Sequence, residues 1–196
     1  MFTGIVAAIG RISKIEKREG GVRLGVSASR LGMDDVAVGD SIAVNGVCLT
    51  VVTKNAASFD ADVSAETLAC TTGLDETGEV NLEKSLRLAD RLGGHLVSGH
   101  VDGVGEVLQF APVGESMLLR VRAPASLSRY IAKKGSVAVQ GVSLTVNDVR
   151  EAEFEVNLIP HTVSVTTLRH LKAGSRVNLE VDMIARYVER MLGVSQ

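Results

Sequence analysis

Val44-Asn45-Gly46-Val47-Cys48-Leu49-Thr50-Val51 recurs in this sequence as Val139-Gln140-Gly141-Val142-Ser143-Leu144-Thr145-Val146, and this recurrence is the strongest indication of the fold. Six of the eight residues are identical, at an offset of 95 residues (from 44 to 139). The same offset relates Thr3-Gly4-Ile5-Val6 to Ser98-Gly99-His100-Val101, and an offset of 97 relates Val80–Glu83 to Val177–Glu180. A fixed register over several segments indicates an internal duplication, with a two-residue insertion predicted in the loop around Leu171 to Ser175.

Within each copy the pattern favours strands over helices. Ser41–Val44 and Ser136–Val139 alternate, and the runs rich in Val and Thr are bounded by Gly. Asn45-Gly46 and Gln140-Gly141 are typical of tight hairpin turns. Short strands at this spacing predict a small barrel or sandwich in each copy. We expect helices only at Lys84–Leu92, Pro124–Lys133 and Met183–Leu192.

Composition excludes several classes of partner. The 196 residues carry 21 Lys and Arg against 23 Asp and Glu, a net charge of −2, so we expect neither nucleic acid nor a membrane as partner. We see no secretory signal and no segment long enough to span a bilayer. Cys48 and Cys70 are too few to staple the chain and are not spaced as a metal-binding pair, so the cytoplasm is the expected compartment.

The segment Met183–Leu192 is amphipathic. Ile184, Val188, Met191 and Leu192 share one face of a helix, with Arg186, Glu189 and Arg190 opposite. Ten residues do not hold a helix alone in water. The apolar stripe must therefore pack either on its own barrel or on copies of itself in an oligomer.

Four motifs together resemble one family over nearly the whole chain. They are Met1-Phe2-Thr3-Gly4-Ile5-Val6, Gly46–Val51, Gly93-Gly94-His95-Leu96-Val97-Ser98-Gly99-His100-Val101 and Gly141–Val146. In this order they resemble riboflavin synthase, the enzyme family that makes the flavin ring from lumazine.

The resemblance implies an all-β fold of two tandem homologous Greek-key barrels plus a C-terminal helix. The expected domains are residues 1–94 and 95–182, each a lumazine-binding barrel, and 183–196, a helix that joins three subunits into a homotrimer. It implies no metal and no redox cofactor, and it leaves open an association with lumazine synthase.

The implied reaction is a dismutation. Two molecules of 6,7-dimethyl-8-ribityllumazine exchange a four-carbon unit, giving riboflavin and 5-amino-6-(D-ribitylamino)uracil, in the last step of riboflavin biosynthesis by a transferase. Two homologous barrels would bring the identical reactants face to face, in the family from neighbouring subunits. The alternative is a non-catalytic lumazine- or flavin-carrying protein of the same fold.

Because one reactant donates carbon and the other accepts it, we expect the chemistry where the repeats differ. Ile5 becomes His100, Cys48 becomes Ser143, Asp62 becomes Asn157 and Glu66 becomes His161. We predict that His100 relays protons. Cys48 and Ser143 could touch the ring edge or assist a nucleophile. Thr50 lies two residues after Cys48 and Thr145 two residues after Ser143, so each Thr shares a strand face with its partner.

The resemblance further implies ligand-holding segments, one for each barrel, whose backbone amides and short polar side chains suit ring carbonyls and ribityl hydroxyls. Many relatives carry Glu where His161 stands, so a carboxylate role at that position is not expected here. The substrate-binding residues are predicted to be Gly4, Ile5, Val6, Cys48, Leu49, Thr50, Asp62, Val63, Ser64, Ala65, Glu66, Thr67, Gly99, His100, Val101, Lys134, Ser143, Leu144, Thr145, Asn157, Leu158, Ile159, Pro160, His161 and Thr162.

Three further residues have two interpretations each. Phe2 matches a family position close to the lumazine, although a terminal aromatic side chain is ordinarily a core plug. Asp182 matches a family position linked to activity, or it is a helix-starting acid. His95 is interpreted as a hydrogen-bonded structural residue. With His100 it lacks a third ligand at a recognisable spacing, so no metal site is predicted. The predicted catalytic set is thus His100, Ser143, Cys48, Thr145, Phe2 and Asp182.

Overall fold

The computed structural model describes residues 1–193 and consists of two closed six-stranded barrels. The first comprises β1 (Ala8–Arg18), β2 (Gly21–Ser27), β3 (Ser41–Val44), β4 (Val47–Lys54), β5 (Ser58–Ser64) and β6 (Gly78–Lys84), with helix α1 (Ala65–Cys70) between β5 and β6. The second comprises β7 (Gly103–Val113), β8 (Ser116–Arg122), β9 (Ser136–Val139), β10 (Val142–Arg150), β11 (Glu153–Leu158) and β12 (Arg176–Val181), with α2 (Pro160–Val165) after β11 and α3 (Met183–Leu192) at the end.

Both barrels have the same topology. The strand order around the first is β1-β2-β5-β4-β3-β6, and replacing each strand by its equivalent gives the order of the second. Even the irregularities repeat, since the register shifts after Ile12 and after Val51 and again after Val107 and after Val146. Bulges of this kind bend strands enough to close a small barrel. The duplication and the all-β class predicted from sequence are confirmed.

The predicted turns are present. Asn45 and Gln140 have φ of 48° and 50°, and Gly46 and Gly141 follow with φ of 82° and 76°. Two successive residues with positive φ form the turn that matches the twist of a two-residue hairpin. β3 joins β4, and β9 joins β10, through these turns.

Each barrel encloses its own aliphatic core. Phe59, Leu24 and Ile42 are buried in the first, and Phe154, Leu119 and Leu158 in the second. A third, smaller cluster of Phe2, Ala43, Val97 and Ala138 lies between the barrels. Each of these three cores therefore contains one fully buried Phe among mainly aliphatic side chains.

The two hairpin turns meet at the junction of the barrels. A Cβ atom added to Gly46 would lie 2.7 Å from the backbone nitrogen of Gly141, and the reverse distance is the same. Asn81 Nδ2 donates to Gln140 O (2.9 Å), and Asn178 Nδ2 donates to Asn45 O (3.1 Å). These reciprocal contacts relate the repeats by a pseudo-two-fold axis through the turns.

The helices differ from expectation in two places. Lys84–Leu92 is not helical, because Lys84 ends β6 and Leu88 is fully exposed, which leaves the segment no apolar face to bury. Instead of a helix over Pro124–Lys133 there is a 3₁₀ helix at Ala125–Tyr130. A further 3₁₀ helix, Thr167–His170, precedes the Leu171–Ser175 loop, where the insertion was expected.

Helix α3 forms where it was predicted, with Gly193 in the left-handed conformation at its end. Residues 194–196 of the expected 183–196 segment lie outside the described residues. Between residues 1 and 193, the longest apolar helical stretch falls short of what is needed to cross a membrane.

Candidate functional site between the two repeats

The opening segment of each repeat lies on the barrel of the other repeat. Gly4 O accepts a hydrogen bond from Ser143 N (2.8 Å), and Gly99 O accepts one from Cys48 N (2.8 Å). Val6 packs against the second core, and Val101 packs against the first. Each candidate pocket therefore combines residues of both repeats.

The first candidate pocket is centred on Cys48. Along β4 the buried residues Val47, Leu49 and Val51 alternate with Cys48 and Thr50, which face outward. On the neighbouring strand β5, Asp62 and Ser64 face outward as well. Gly99–Val101 runs against Cys48, and the exposed His100 follows directly on Gly99, which contacts Cys48.

The second candidate pocket is centred on Ser143. Thr145 on β10 and Asn157 on β11 lie on the same outer face as Ser143. Gly4–Val6 runs against Ser143, with Ile5 half-exposed at the position that corresponds to His100. Cys48 and Thr50 therefore share one outer face, beside the segment that carries His100, and Ser143 and Thr145 share the other, beside the segment that carries Ile5.

His95 joins the second pocket, where sequence reasoning did not place it. Its Nδ1 lies 2.7 Å from Ser143 Oγ, and the side chain is buried. Burial lowers the pKa of His95 below its ordinary value of 6.5, partly offset by the nearby charge of Asp182. The ring is therefore neutral at neutral pH, and its Nδ1 shares one hydrogen bond with the Ser143 hydroxyl. The Gly-Gly-His motif was the only sequence signal for it.

Four predicted binding residues face inward. Leu49, Val63, Leu144 and Leu158 are 4%, 3%, 9% and 0% exposed, and their side chains fill the barrel cores. Strand alternation causes this, because every second residue of a contiguous segment points away from the outer face. The predicted binding role of these four residues would therefore fall to their backbone atoms, and it stays a prediction.

Short helices follow the outward-facing ends of β5 and β11. In the first repeat Ser64 caps α1, since its Oγ accepts from Thr67 N at 3.0 Å, and the exposed Ala65 and Glu66 form the first turn. In the second repeat Ile159 precedes α2, Pro160 opens it, and His161 is exposed while Thr162 is half-buried. Both predicted ligand-holding segments thus end at the rim of a pocket.

Arg23 is a further neighbour that the sequence analysis missed. Its guanidinium donates two hydrogen bonds of 2.7 Å to the Asp62 carboxylate, and it holds the pKa of that carboxyl below its ordinary value. In the second repeat the corresponding pair on β8 and β11 is Leu118 and Asn157. The first pocket is therefore flanked by an ion pair and the second by a free amide.

Phe2 is fully buried between the barrels. It pairs with Val97 through two backbone hydrogen bonds and packs in the cluster that also contacts Cys48. A Cβ atom on Gly99 would lie 2.9 Å from the Phe2 ring. The aromatic ring therefore supports Cys48 and Gly99 from below, as a core residue would, and a direct catalytic role for Phe2 stays a prediction.

Asp182 is the N-terminal cap of α3. Its Oδ1 accepts a hydrogen bond from Ile184 N (3.0 Å), which satisfies one of the unpaired amides at the helix start. The helix-starting role that sequence allowed is thus present. Its charge also reaches His95, so Asp182 influences the Ser143 pocket electrostatically.

Lys134 has an unusual backbone for a lysine. It is exposed, its φ is 68°, and the equivalent position in the first repeat is Gly39, with φ of 96°. Both residues donate the same backbone bond, from Lys134 N to Val146 O and from Gly39 N to Val51 O. A side chain kept in the left-handed region at the end of the second barrel suggests a functional reason for the lysine.

The largest described cleft lies elsewhere. It has a volume of about 670 Å³ and is lined by Arg11, Glu79, His170 and Arg176 beside the turns at the pseudo-two-fold axis. It contains none of the predicted site residues, which lie on the open outer faces of the barrels. Within residues 1–193, no group of three His, Cys, Asp or Glu side chains is arranged to hold a metal ion.

A family model described as "Lumazine binding domain" matches residues 3–85 and 98–182, one match in each repeat. A protein named riboflavin synthase from Photobacterium phosphoreum is 47% identical over 100% of this chain and 91% of its own length. The chain belongs to the riboflavin synthase family. Bacillus subtilis riboflavin synthase is 40% identical over 98% of this chain and 90% of its own.

Solved structures agree with this membership. LumP complexed with 6,7-dimethyl-8-(1'-D-ribityl) lumazine has a TM-score of 0.82 and 26% identity, covering 92% of this chain and 99% of its own. LumP complexed with riboflavin has a TM-score of 0.83 and 28% identity over the same shares. LumP, which has this architecture, therefore binds both a ribityl lumazine and riboflavin.

Proposed function

We propose that the protein is a riboflavin synthase. It is a transferase that converts two molecules of 6,7-dimethyl-8-ribityllumazine into riboflavin and 5-amino-6-(D-ribitylamino)uracil. The observation that carries the proposal is the exchange of opening segments, which builds two pockets of homologous outline but different polar groups. Family membership at 40% to 47% identity over nearly the full chain supports the same reaction.

Two similar pockets suit a reaction between two copies of one substrate. Binding both in defined orientations converts a bimolecular encounter into a positioned one, which can lower the activation barrier by about 7–11 kcal/mol. The pockets lie on open outer faces, so each pocket needs a cover. We propose that the pocket of a second subunit supplies it, with one lumazine on each side.

The polar differences assign roles to the pockets. In the Cys48 pocket we propose that His100 removes a proton from a methyl group of the bound lumazine, whose electron-poor ring makes that carbon acidic. The exposed imidazole can exchange the proton with solvent between steps. In the Ser143 pocket, the hydroxyl polarised by His95 would assist the nucleophile at the other ring.

Substrate binding is assigned to the rims. The outer-face side chains Thr50, Asp62 and Ser64 in one pocket, and Thr145 and Asn157 in the other, offer hydrogen bonds to ribityl hydroxyls and ring carbonyls. Asp62 is held by Arg23, so it presents a fixed carboxylate, whereas Asn157 presents an amide. Lys134 would reach the ribityl chain of the second pocket.

Helix α3 supports an oligomer. Its charged side faces its own barrel: Arg186 pairs with Asp102 (2.6 Å), and Glu189 accepts from Tyr130 and pairs with Arg129 (2.9 Å). Its apolar side faces away, with Ile184, Val188, Met191 and Leu192 between 43% and 79% exposed. The alternative that the stripe packs on its own barrel is therefore wrong.

We propose that copies of α3 cover one another in a homotrimer. An exposed stripe of this size on a helix that has no buried residue is typical of an assembly face. Cys48 and Cys70 are both free thiols, which suits the proposed cytoplasmic location.

The test is to mix the purified protein with 6,7-dimethyl-8-ribityllumazine and follow riboflavin by its absorbance and fluorescence. We expect turnover without added metal or redox cofactor, and two lumazine-type ligands bound per chain at saturation. Binding without riboflavin formation would instead support the carrier alternative. A single ligand per chain, with the Ser143 pocket empty, would contradict the two-pocket proposal.

A further inference from the structure

Two buried glutamates occupy equivalent positions in the repeats. Glu83 in β6 and Glu180 in β12 belong to the repeated Val-Asn-Leu-Glu segments and are 8% and 3% exposed. Neither carboxylate forms an ion pair with a Lys or Arg within residues 1–193. Each instead accepts three hydrogen bonds from an opening segment.

The two sets of hydrogen bonds match atom for atom. Glu83 Oε1 accepts from Thr3 N and Thr3 Oγ1, both at 2.7 Å, and Oε2 accepts from Gly4 N at 3.0 Å. Glu180 Oε1 accepts from Ser98 N at 2.6 Å and Ser98 Oγ at 2.7 Å, and Oε2 accepts from Gly99 N at 2.9 Å. Both oxygens of each carboxylate are thus committed to one dipeptide.

The dipeptide that each carboxylate holds contacts the opposite barrel. Glu83 belongs to the first barrel, but the Gly4 that it holds accepts from Ser143 of the second. Glu180 belongs to the second barrel, but the Gly99 that it holds accepts from Cys48 of the first. A Cβ atom on either glycine would lie 2.6 Å from the Cβ of its contact, so both approaches are as tight as the backbone allows.

Burying these two carboxylates carries a cost in folding stability. Burying a carboxylate without a paired cation costs desolvation free energy, which hydrogen bonds offset only in part. For Glu83 the balance is visible, since burial raises the pKa of its carboxyl above the ordinary value despite the bonds from Thr3 and Gly4. An apolar residue at either position would leave the three donors of an opening segment without acceptors, so each carboxylate serves to hold that segment in place.

We propose that Glu83 and Glu180 are positioning residues that act crosswise. Glu180 fixes the segment that carries His100 over the Cys48 pocket of the other barrel, and Glu83 fixes Gly4–Val6 over the Ser143 pocket. The inference rests on the proposed pair of lumazine pockets. It requires that replacing a carboxylate of one barrel impair the pocket on the other barrel.

The first test needs no ligand. In the full chain carrying Cys70→Ser, Cys48 is the one remaining thiol, and its alkylation rate reports whether Gly99 covers it. In Glu180→Gln the side-chain NH2 group must face either Ser98 N and Oγ or Gly99 N. On that side of the former carboxylate a donor then meets a donor, and the two repel each other. We expect at least fivefold faster alkylation in Glu180→Gln and less than twofold change in Glu83→Gln, although Glu83 shares a barrel with Cys48.

The second test uses riboflavin as the probe. The riboflavin concentration that half-protects Cys48 from alkylation should rise at least tenfold in Glu180→Gln and change less than twofold in Glu83→Gln. Equilibrium dialysis should nevertheless show one weakened site and one unchanged site per chain in both variants. In turnover, Glu180→Gln should lower kcat more than it raises KM, because it displaces His100.

Matched controls lie on or next to the same strands. Glu76→Gln, two residues before β6, and Arg176→Gln on β12 replace exposed charges and should leave alkylation, binding and turnover within twofold. Should Glu180→Gln fail to fold, Ser98→Ala removes one of its three hydrogen bonds and should give the same pattern at two- to threefold. Equal alkylation of Cys48 in Glu83→Gln and Glu180→Gln would overturn the crosswise role.

Failure of this inference is distinguishable from failure of the proposed function. If the unmodified protein makes riboflavin but both glutamate variants behave like their controls, only the positioning role is lost. If the unmodified protein makes no riboflavin, the proposed reaction fails, while the alkylation rates still decide whether Glu180 holds Gly99 on Cys48.

Discussion

His95 Nδ1 and Ser143 Oγ lie 2.7 Å apart, in a chain where the two residues are separated by 48 positions. The other ring nitrogen, Nε2, is buried and lacks a hydrogen-bond partner among residues 1–193. A histidine in this environment resists protonation, because the imidazolium would need two acceptors. The contact links the linker between the repeats to the second candidate pocket, and it has consequences for stability as well as reactivity.

Stability should depend on pH through His95. Its folded-state pKa is lowered by burial, so as pH falls through the ordinary value of 6.5 the unfolded chain takes up a proton that the folded chain refuses. The free energy of unfolding should therefore fall on acidification from about pH 7 to pH 5. Urea titrations should show a flatter dependence in His95→Gln. His161→Gln, at an exposed site, is the control, and parallel curves for the unmodified protein and His95→Gln would contradict the prediction.

Replacing His100 by Gln should separate chemistry from binding. Loss of a general acid–base group typically lowers turnover by roughly 10²-fold or more, whereas the exposed side chain contributes little to the outline of the pocket. We expect a large fall in kcat and less than a threefold change in riboflavin affinity. An unchanged kcat would remove His100 from the mechanism.

Phe2→Ala should affect both stability and activity. Removing a fully buried aromatic side chain costs about 3–5 kcal/mol, and the cavity would lie directly beneath Cys48 and Gly99. We expect a lower urea midpoint together with reduced turnover, and a milder effect for Phe2→Leu. An N-terminal fusion should also impair catalysis, since Phe2 pairs with Val97 close to the chain start. Full activity of such a fusion would count against this role.

Lys134→Gly should raise the free energy of unfolding and weaken riboflavin binding. Relief of the left-handed conformation is worth about 1–2 kcal/mol, more than the extra entropy that glycine loses, about 0.5–1 kcal/mol. The variant should therefore be slightly more stable but bind riboflavin more weakly in the second pocket. Gly39→Lys, at the equivalent position, should be destabilised without any gain in affinity. A Lys134→Gly variant with unchanged affinity would leave the lysine without a binding role.

Charging the apolar face of α3 should dissociate the assembly. Val188→Glu or Met191→Glu places carboxylates where copies of the helix are proposed to meet, and we expect a monomer by light scattering. Because the proposed reaction needs pockets from two subunits, turnover should fall together with the mass. Arg190→Glu, on the polar side of the helix, is the control for charge. A Val188→Glu protein that keeps its mass would argue against this interface.

Much of the fold could be predicted because the duplication repeats local signals. Asn45-Gly46 and Gln140-Gly141 specify hairpins by their tolerance of positive φ, and alternation in β4 and β10 specifies which residues face outward. The same local rules failed at Lys84–Leu92, where a glycine stop suggested a helix but no core exists for it to cover. Contiguous motif segments likewise included inward-facing residues such as Leu49 and Leu158.

The repeat, the two hairpin turns, the β-rich class and the family could all be read from the sequence, because these depend on neighbours along the chain. The positions of Gly4 on Ser143 and of Gly99 on Cys48, and the hydrogen bonds to Glu83 and Glu180 that hold them, depend on how the two barrels pack. Hydrogen bonds between residues about 50 to 140 positions apart leave no local periodicity. Which barrel a segment contacts therefore depends on the packing of the two barrels and not on the sequence around that segment.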